Sequence, residues 1–136
     1  MTNYLLDTNH ISPLVTPGHR LRPLFIEHYN NGDSFYIAVP ALTEMLFRIQ
    51  MLPRAKQNMQ QWQELEPLFT YYQIEKQDGA DAADLQVLLR RQGWQLGTVD
   101  AIIAAIALRY DLILLSTDKD FRAVPELVRE NWLSAS

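Results

Sequence analysis

Leu112-Ile113-Leu114-Leu115-Ser116-Thr117-Asp118 is the stretch on which the fold turns. A short apolar run that stops at small polar residues and an acid reads as a buried strand of a parallel sheet. Tyr4-Leu5-Leu6-Asp7-Thr8-Asn9 repeats that pattern near the N-terminus. Phe35 to Val39 reads as a further strand closed by Pro40, and Tyr71 to Ile74 as a weaker one. Helical spacing fills the intervals. Leu21, Leu24, Phe25 and His28 recur at three- and four-residue steps up to Asn31-Gly32. Leu42, Met45, Leu46 and Ile49 share a face from Ala41 until Pro53, and Met59, Trp62 and Leu65 mark a helix from Ala55 to Leu68. Ala82, Leu85, Leu88 and Leu89 form another, with Arg90-Arg91 in its last turn and Gly93 beyond its end, both stop signals. Thr98 is placed to cap the next helix, which runs through Ile102, Ile103, Ile106 and Leu108 to about Tyr110. Strands alternating with helices predict an α/β domain with a mainly parallel central sheet.

The chain has 136 residues, 48% of them hydrophobic and 21% charged. No composition shift, linker or repeat divides it, so residues 1–136 read as a single domain, long enough to hold a core without disulfides or a structural metal. Cysteine is absent, which excludes thiol nucleophiles, zinc thiolate sites and disulfide frameworks. The longest apolar run, Ala101 to Leu108, falls far short of the roughly 20 residues a membrane span needs. The N-terminus lacks a basic region, and Asp7 interrupts its only apolar stretch, so no secretory signal is expected. The expectation is a soluble, cytoplasmic protein without a membrane partner. Sixteen acids against 12 bases give a net charge of -4. That disfavours nucleic-acid binding by bulk electrostatics, but not at a single metal-loaded site.

In open parallel sheets, ligands bind outside the carboxyl ends of the strands. Asp7 and Asp118 stand at two such ends, Glu44 is expected in the first turn of the helix after the second strand, and Asp100 in the first turn of the helix that feeds the last. Each acid singly has a structural explanation, as a turn cap or as an answer to a helix dipole. Together they place a carboxylate at every inferred rim position. Clustered carboxylates raise one another's pKa unless a cation neutralises them, and an all-oxygen donor set favours Mg²⁺ or Mn²⁺ over zinc. Such a site suits hydrolysis of a phosphodiester.

Leu5-Leu6-Asp7-Thr8-Asn9, Leu42-Thr43-Glu44, Gly97-Thr98-Val99-Asp100-Ala101 and Leu115-Ser116-Thr117-Asp118-Lys119-Asp120-Phe121 resemble, in order and separation, the motifs of PIN-domain nucleases, and most closely the VapC-type toxins of bacterial toxin-antitoxin pairs. The resemblance spans Tyr4 to about Trp132. It implies a three-layer α/β/α sandwich and a Mg²⁺- or Mn²⁺-dependent endoribonuclease acting on single-stranded or loop RNA. Asp7, Glu44, Asp100 and Asp118 would be the catalytic acids. Asp7 and Asp100 would be the most direct metal ligands, with Glu44 and Asp118 closing the site or acting through water. Thr8, Asn9 and Thr117 would orient them. In Asp118-Lys119-Asp120 either acid can face the site; Asp118 is favoured because it directly follows the strand. The resemblance also implies a VapB-like antitoxin and a homodimer, with Leu46, Phe47, Trp62 and Phe69 available to line an antitoxin groove or to pack the core.

Arg48, four residues after Glu44, can pair with it or meet a phosphate. Lys119 and Arg122 border the proposed site as phosphate contacts, whereas Arg90-Arg91 reads as a solvated helix end. His10, His19 and His28 lie nine residues apart, which matches no helical ligand pair; His10, close to Asp7, is the one placed to touch substrate. Ser12 lies near it, but nothing marks a nucleophile elbow. A response-regulator receiver would need adjacent acids after the first strand, and a haloacid-dehalogenase-type phosphatase two acids spaced by one residue; Asn9 occupies that second place. The remaining alternatives share the fold: a nuclease for DNA or structured nucleic acid, and a non-catalytic binding module, which would have no physical reason to keep four repelling acids.

Overall fold

The computed structural model describes residues 1–134, so the last two residues of the span read as one domain lie outside the described ones. Its centre is a five-stranded, wholly parallel sheet of β1 (Asn3–Leu6), β2 (Ser34–Ala38), β3 (Phe69–Tyr72), β4 (Ile113–Leu115) and β5 (Arg129–Glu130), in the order β3-β2-β1-β4-β5. Helices α1 (Thr8–Ile11), α2 (Leu21–Asn30), α3 (Val39–Met51), α4 (Ala55–Leu65), α5 (Lys76–Arg91) and α6 (Thr98–Arg109) complete an α/β/α sandwich.

From β1 the chain moves outward through β2 to β3, then returns across the sheet to place β4 on the other side of β1. The reversal falls between β1 and β4, and a crevice opens there at the carboxyl ends of the strands. Leu5 pairs with both Tyr36 and Leu114, so β1 is flanked on both sides and reads as unbroken Tyr-Leu-Leu. α6 buries Ala101, Ile103, Ala104, Ala105, Ile106 and Ala107. Its alanines let it pack closely on α5, its main helical neighbour. The α5 N-terminus is closed by a reciprocal cap between Glu75 and Asp78, and the fully buried Asp78 carboxylate is met by Arg109 from α6 at 3.0 Å.

Several boundaries differ from expectation. α3 starts at Val39 with Pro40 inside its first turn, where a missing N–H is harmless, so Glu44 sits in the second turn and not the first. β3 lies two residues earlier than expected. Thr98 is the first helical residue and Gly97 the cap, without a side-chain bond. α1 and the 3₁₀ turn Ser12–Val15 fill a stretch left unassigned, and β5, two exposed polar residues paired with β4, carries no sequence signature.

The 3₁₀ turn Lys119–Ala123 is held by Phe121, which is completely buried. Phe121→Ala is expected to cost about 3–5 kcal/mol. By thermal melting that corresponds to a fall of roughly 10 °C or more. A shift of only a degree or two would show that the turn is anchored elsewhere.

Candidate active site

Asp7 continues β1 through its N–H, which donates to the Leu115 carbonyl at 3.0 Å, and it caps α1, its Oδ1 accepting from the Thr8 N–H at 2.9 Å. Its Oδ2 accepts from the Ser116 hydroxyl at 2.8 Å and the Asn9 amide at 3.2 Å. The Ser116 oxygen also accepts from the Asp118 N–H at 3.0 Å and from the Asn9 amide at 3.4 Å. One hydroxyl thus ties the ends of β1 and β4 together. Burial raises the Asp7 pKa above the usual carboxylate range against these lowering bonds, and the charges of Glu44 and Asp118 add to the rise.

Asp118 caps the following 3₁₀ turn, its Oδ1 accepting from the Asp120 N–H at 2.8 Å. Glu44 receives Arg48 at 2.8 Å and lies 3.3 Å from the Thr8 hydroxyl. These three acids therefore have the structural duties their positions allow. Asp100 has none: among the described residues no donor reaches its half-buried carboxylate. Burial, followed by the charges of Asp7, Asp118, Glu44 and Asp120, lifts its pKa to about 6.

Asp7, Glu44, Asp100 and Asp118 line one cleft of about 960 Å³, with Thr8, Asn9 and Arg48 on its walls and Pro40, Phe47 and Val99 at its apolar margin. Among the described residues no three acid or histidine side chains are gathered tightly enough to enclose one ion. The donor set fits a hard divalent cation: four carboxylates, no thiolate or accessible imidazole, and Arg48 as the one cation among the lining residues.

Asp120, Thr117, Lys119 and Arg122 are not among the residues lining the cleft. Thr117 contributes through its backbone N–H, which donates to Asn9 Oδ1 at 3.1 Å; the orienting hydroxyl belongs to its neighbour Ser116, missed because both are equally small and polar. Of the groove candidates, Phe47 is 67% exposed beside the acids, Leu46 is half-buried, and Trp62 and Phe69 are core residues.

His10 does not reach the cleft. It is fully buried, its Nδ1–H donating to Asn9 Oδ1 at 2.8 Å and its Nε2 accepting from the Trp132 N–H at 3.0 Å. Those partners require the neutral ring, and burial lowers its pKa to about 4. His10 thus supports Asn9 from behind, and Asn9 in turn holds Asp7.

The PIN domain family matches residues 4–127 of the chain. A search of curated proteins finds no match. Among solved structures, the chain is similar to VapBC2 of Rickettsia felis bound to a promoter DNA fragment (18% identity, TM-score 0.83, covering 96% of this chain and 99% of that one). It is also similar to DNA-bound VapBC of Salmonella typhimurium (19% identity, TM-score 0.81, 97% and 99% coverage). The sarcin-ricin-loop-cleaving toxin VapC20 of Mycobacterium tuberculosis shares the fold at 14% identity and a TM-score of 0.65, with 90% and 95% coverage.

Proposed function

The chain belongs to the PIN-domain family of nucleases, and from that premise we propose that it is a Mg²⁺- or Mn²⁺-dependent endoribonuclease, the toxin of a toxin-antitoxin pair. The observation that carries the reading is Asp100: a half-buried carboxylate facing three other acids, without a hydrogen bond to justify it. A group held at such cost in a cleft is a candidate for ligand binding or catalysis.

Asp7 and Asp100 would hold the cation most directly, with Glu44 and Asp118 completing the acidic wall. A bound divalent cation supplies charge neutralisation at phosphate and acidifies water, the chemistry phosphodiester hydrolysis requires. Ser116 and Asn9 fix Asp7 in one orientation, so little reorganisation remains when the reacting groups meet. Thr8, between Asp7 and Glu44, orients the acid on α3. Arg48 lies where a phosphate entering the cleft would compete with Glu44 for its guanidinium. Lys119 and Arg122, on the turn after Asp118 and outside the cleft lining, are the proposed phosphate contacts for RNA leaving the cleft.

RNA is the proposed substrate because a similar structure is described as a toxin that cleaves the sarcin-ricin loop, and single-stranded or loop RNA presents unpaired nucleotides to a cleft of this size. A VapB-like antitoxin is the proposed partner, since similar structures are VapBC complexes. Exposed Phe47 beside an acidic cleft suits a tail that brings an apolar side chain and a cation. A homodimer is part of the same proposal.

The test is cleavage of a mixed RNA pool and a single-stranded DNA by the purified chain in Mn²⁺, Mg²⁺ or EDTA. RNA cuts with metal and none in EDTA are expected, with DNA left intact. Cuts in DNA alone would keep the site and replace the substrate. No cutting by folded, antitoxin-free protein would leave a nucleic-acid-binding module.

A further inference from the structure

α5 ends in a paired turn: the Trp94 N–H donates to the Leu89 carbonyl at 2.9 Å and the Gly93 N–H to Arg90 at 3.1 Å, with Gly93 at φ +84°. This geometry needs a residue that tolerates the left-handed region, and it fixes Trp94 directly behind the helix. The loop beyond is fastened as well. The Gln86 amide donates to the Leu96 carbonyl at 2.9 Å and reaches the Thr98 hydroxyl at 3.3 Å, while Leu96 is buried. Trp94 nevertheless stays 36% exposed.

The Arg122 guanidinium lies over the Trp94 indole, 4.6 Å from the ring centroid. Arg122 comes from the 3₁₀ turn that Asp118 caps, whereas Trp94 precedes the loop that leads to Asp100. The stacked pair therefore joins two segments that each deliver an acid to the cleft. A smaller cleft of about 240 Å³, lined by Trp94, Arg90 and Gln86 among others, meets the acidic one at Gly97. A Cβ at Gly97 would lie 3.9 Å from Asp100 Oδ2, so this junction is immediately beside the acid and free of any side chain.

Among the described residues neither Arg90 nor Arg122 has a carboxylate partner, whereas Arg22, Arg48 and Arg109 do. In a chain of net charge -4, Arg90 and an exposed indole line the cleft that adjoins the acidic one at Gly97, and Arg122 lies over that indole. A guanidinium placed over an indole offers, with that ring, a surface for an unpaired base and donors for a phosphate, with part of its ordering cost already met.

We infer that Trp94, Arg122 and Arg90 form a second subsite that holds a nucleotide flanking the scissile phosphate, the RNA strand passing from the acidic cleft over Gly97. The inference rests on the ribonuclease reading. An antitoxin segment fits less well, since one peptide would need a cation for the acids and an anion for the arginines. A nucleic acid presents the same phosphate to both, through a cation at the acids and directly at the guanidiniums.

The experiment measures KM on an RNA extended on both sides of a mapped cut and on versions trimmed from either side. Wild-type protein is expected to gain affinity with extension on one side. Trp94→Ala should lose roughly tenfold of that gain with kcat for the extended RNA little changed, and Trp94→Phe should retain most of it. Binding of the extended RNA in EDTA, read by fluorescence anisotropy, should weaken in parallel. A length-dependent gain that survives in Trp94→Ala would overturn the subsite. So would an equal loss on all lengths, which means a displaced Asp100, or weaker antitoxin binding with unchanged RNA KM. If wild-type protein cuts no RNA, the ribonuclease reading itself falls.

Discussion

Asp100→Asn is expected to lower RNA cleavage about a thousandfold, the loss of several kcal/mol of transition-state stabilisation, while the protein melts slightly higher. The two effects share one cause. With a pKa near 6, the Asp100 carboxylate holds its proton more tightly folded than unfolded, so above that pH its charge destabilises the folded state. Removing the charge relieves that cost. Because the group is half-exposed and screened, the gain is about 2 °C at pH 7 in EDTA. The gain should shrink through the window from pH 6 to 3.8 and vanish near pH 3, where both states are largely protonated. Asp7→Asn should lose as much activity but gain no stability, since the amide introduced at Oδ2 would confront the Asn9 amide donor. Kinetics and differential scanning fluorimetry on the two variants separate these outcomes. Near wild-type cleavage by Asp100→Asn would remove that residue from the reaction. A large fall in its melting temperature would make it a structural acid.

The second large effect concerns acid. His10 is buried neutral with a pKa of about 4, against about 6.5 in an unfolded chain. Between those values the unfolded chain takes up a proton that the folded one refuses, so stability falls as pH drops through this window. At 1.36 kcal/mol per unit the full loss approaches roughly 3 kcal/mol. Asp7 and Asp100, both raised, work in the opposite direction as pH falls, so the His10 contribution is read from the difference between two proteins. Relative to His10→Asn, the wild-type melting temperature without metal should drop by about 6–12 °C more between pH 7 and pH 4. Parallel curves for the two proteins would show that the ring is protonated without cost, and that its bonds to Asn9 and Trp132 do not fix its charge.

The convergence of the four acids on one cleft was legible because a parallel sheet buries its strands on both faces and releases the chain at their carboxyl ends. Tyr4-Leu5-Leu6 and Ile113-Leu114-Leu115 therefore announce where Asp7 and Asp118 emerge. Asp100 follows from a helix so apolar that its one acid stands out. The errors have equally local causes. Pro40 punctuates a strand and opens a helix with the same ring, and only the backbone tells which, so Glu44 was placed one turn early. Ser116 and Thr117 are chemically alike, and alternation along the chain end selects the one that faces Asp7. β5 is defined by its neighbour and not by its residues. Trp94 and Arg122 lie 28 positions apart, so no spacing rule joins them.

The proposal that the acidic cleft is a divalent-metal centre is tested most directly by Mn²⁺ titration of the purified chain, followed by electron paramagnetic resonance, beside Asp100→Asn. Saturable binding by the wild type, weakened at least about tenfold in the variant, is the predicted result. Equal binding by both proteins, or none by a folded wild type, would contradict it.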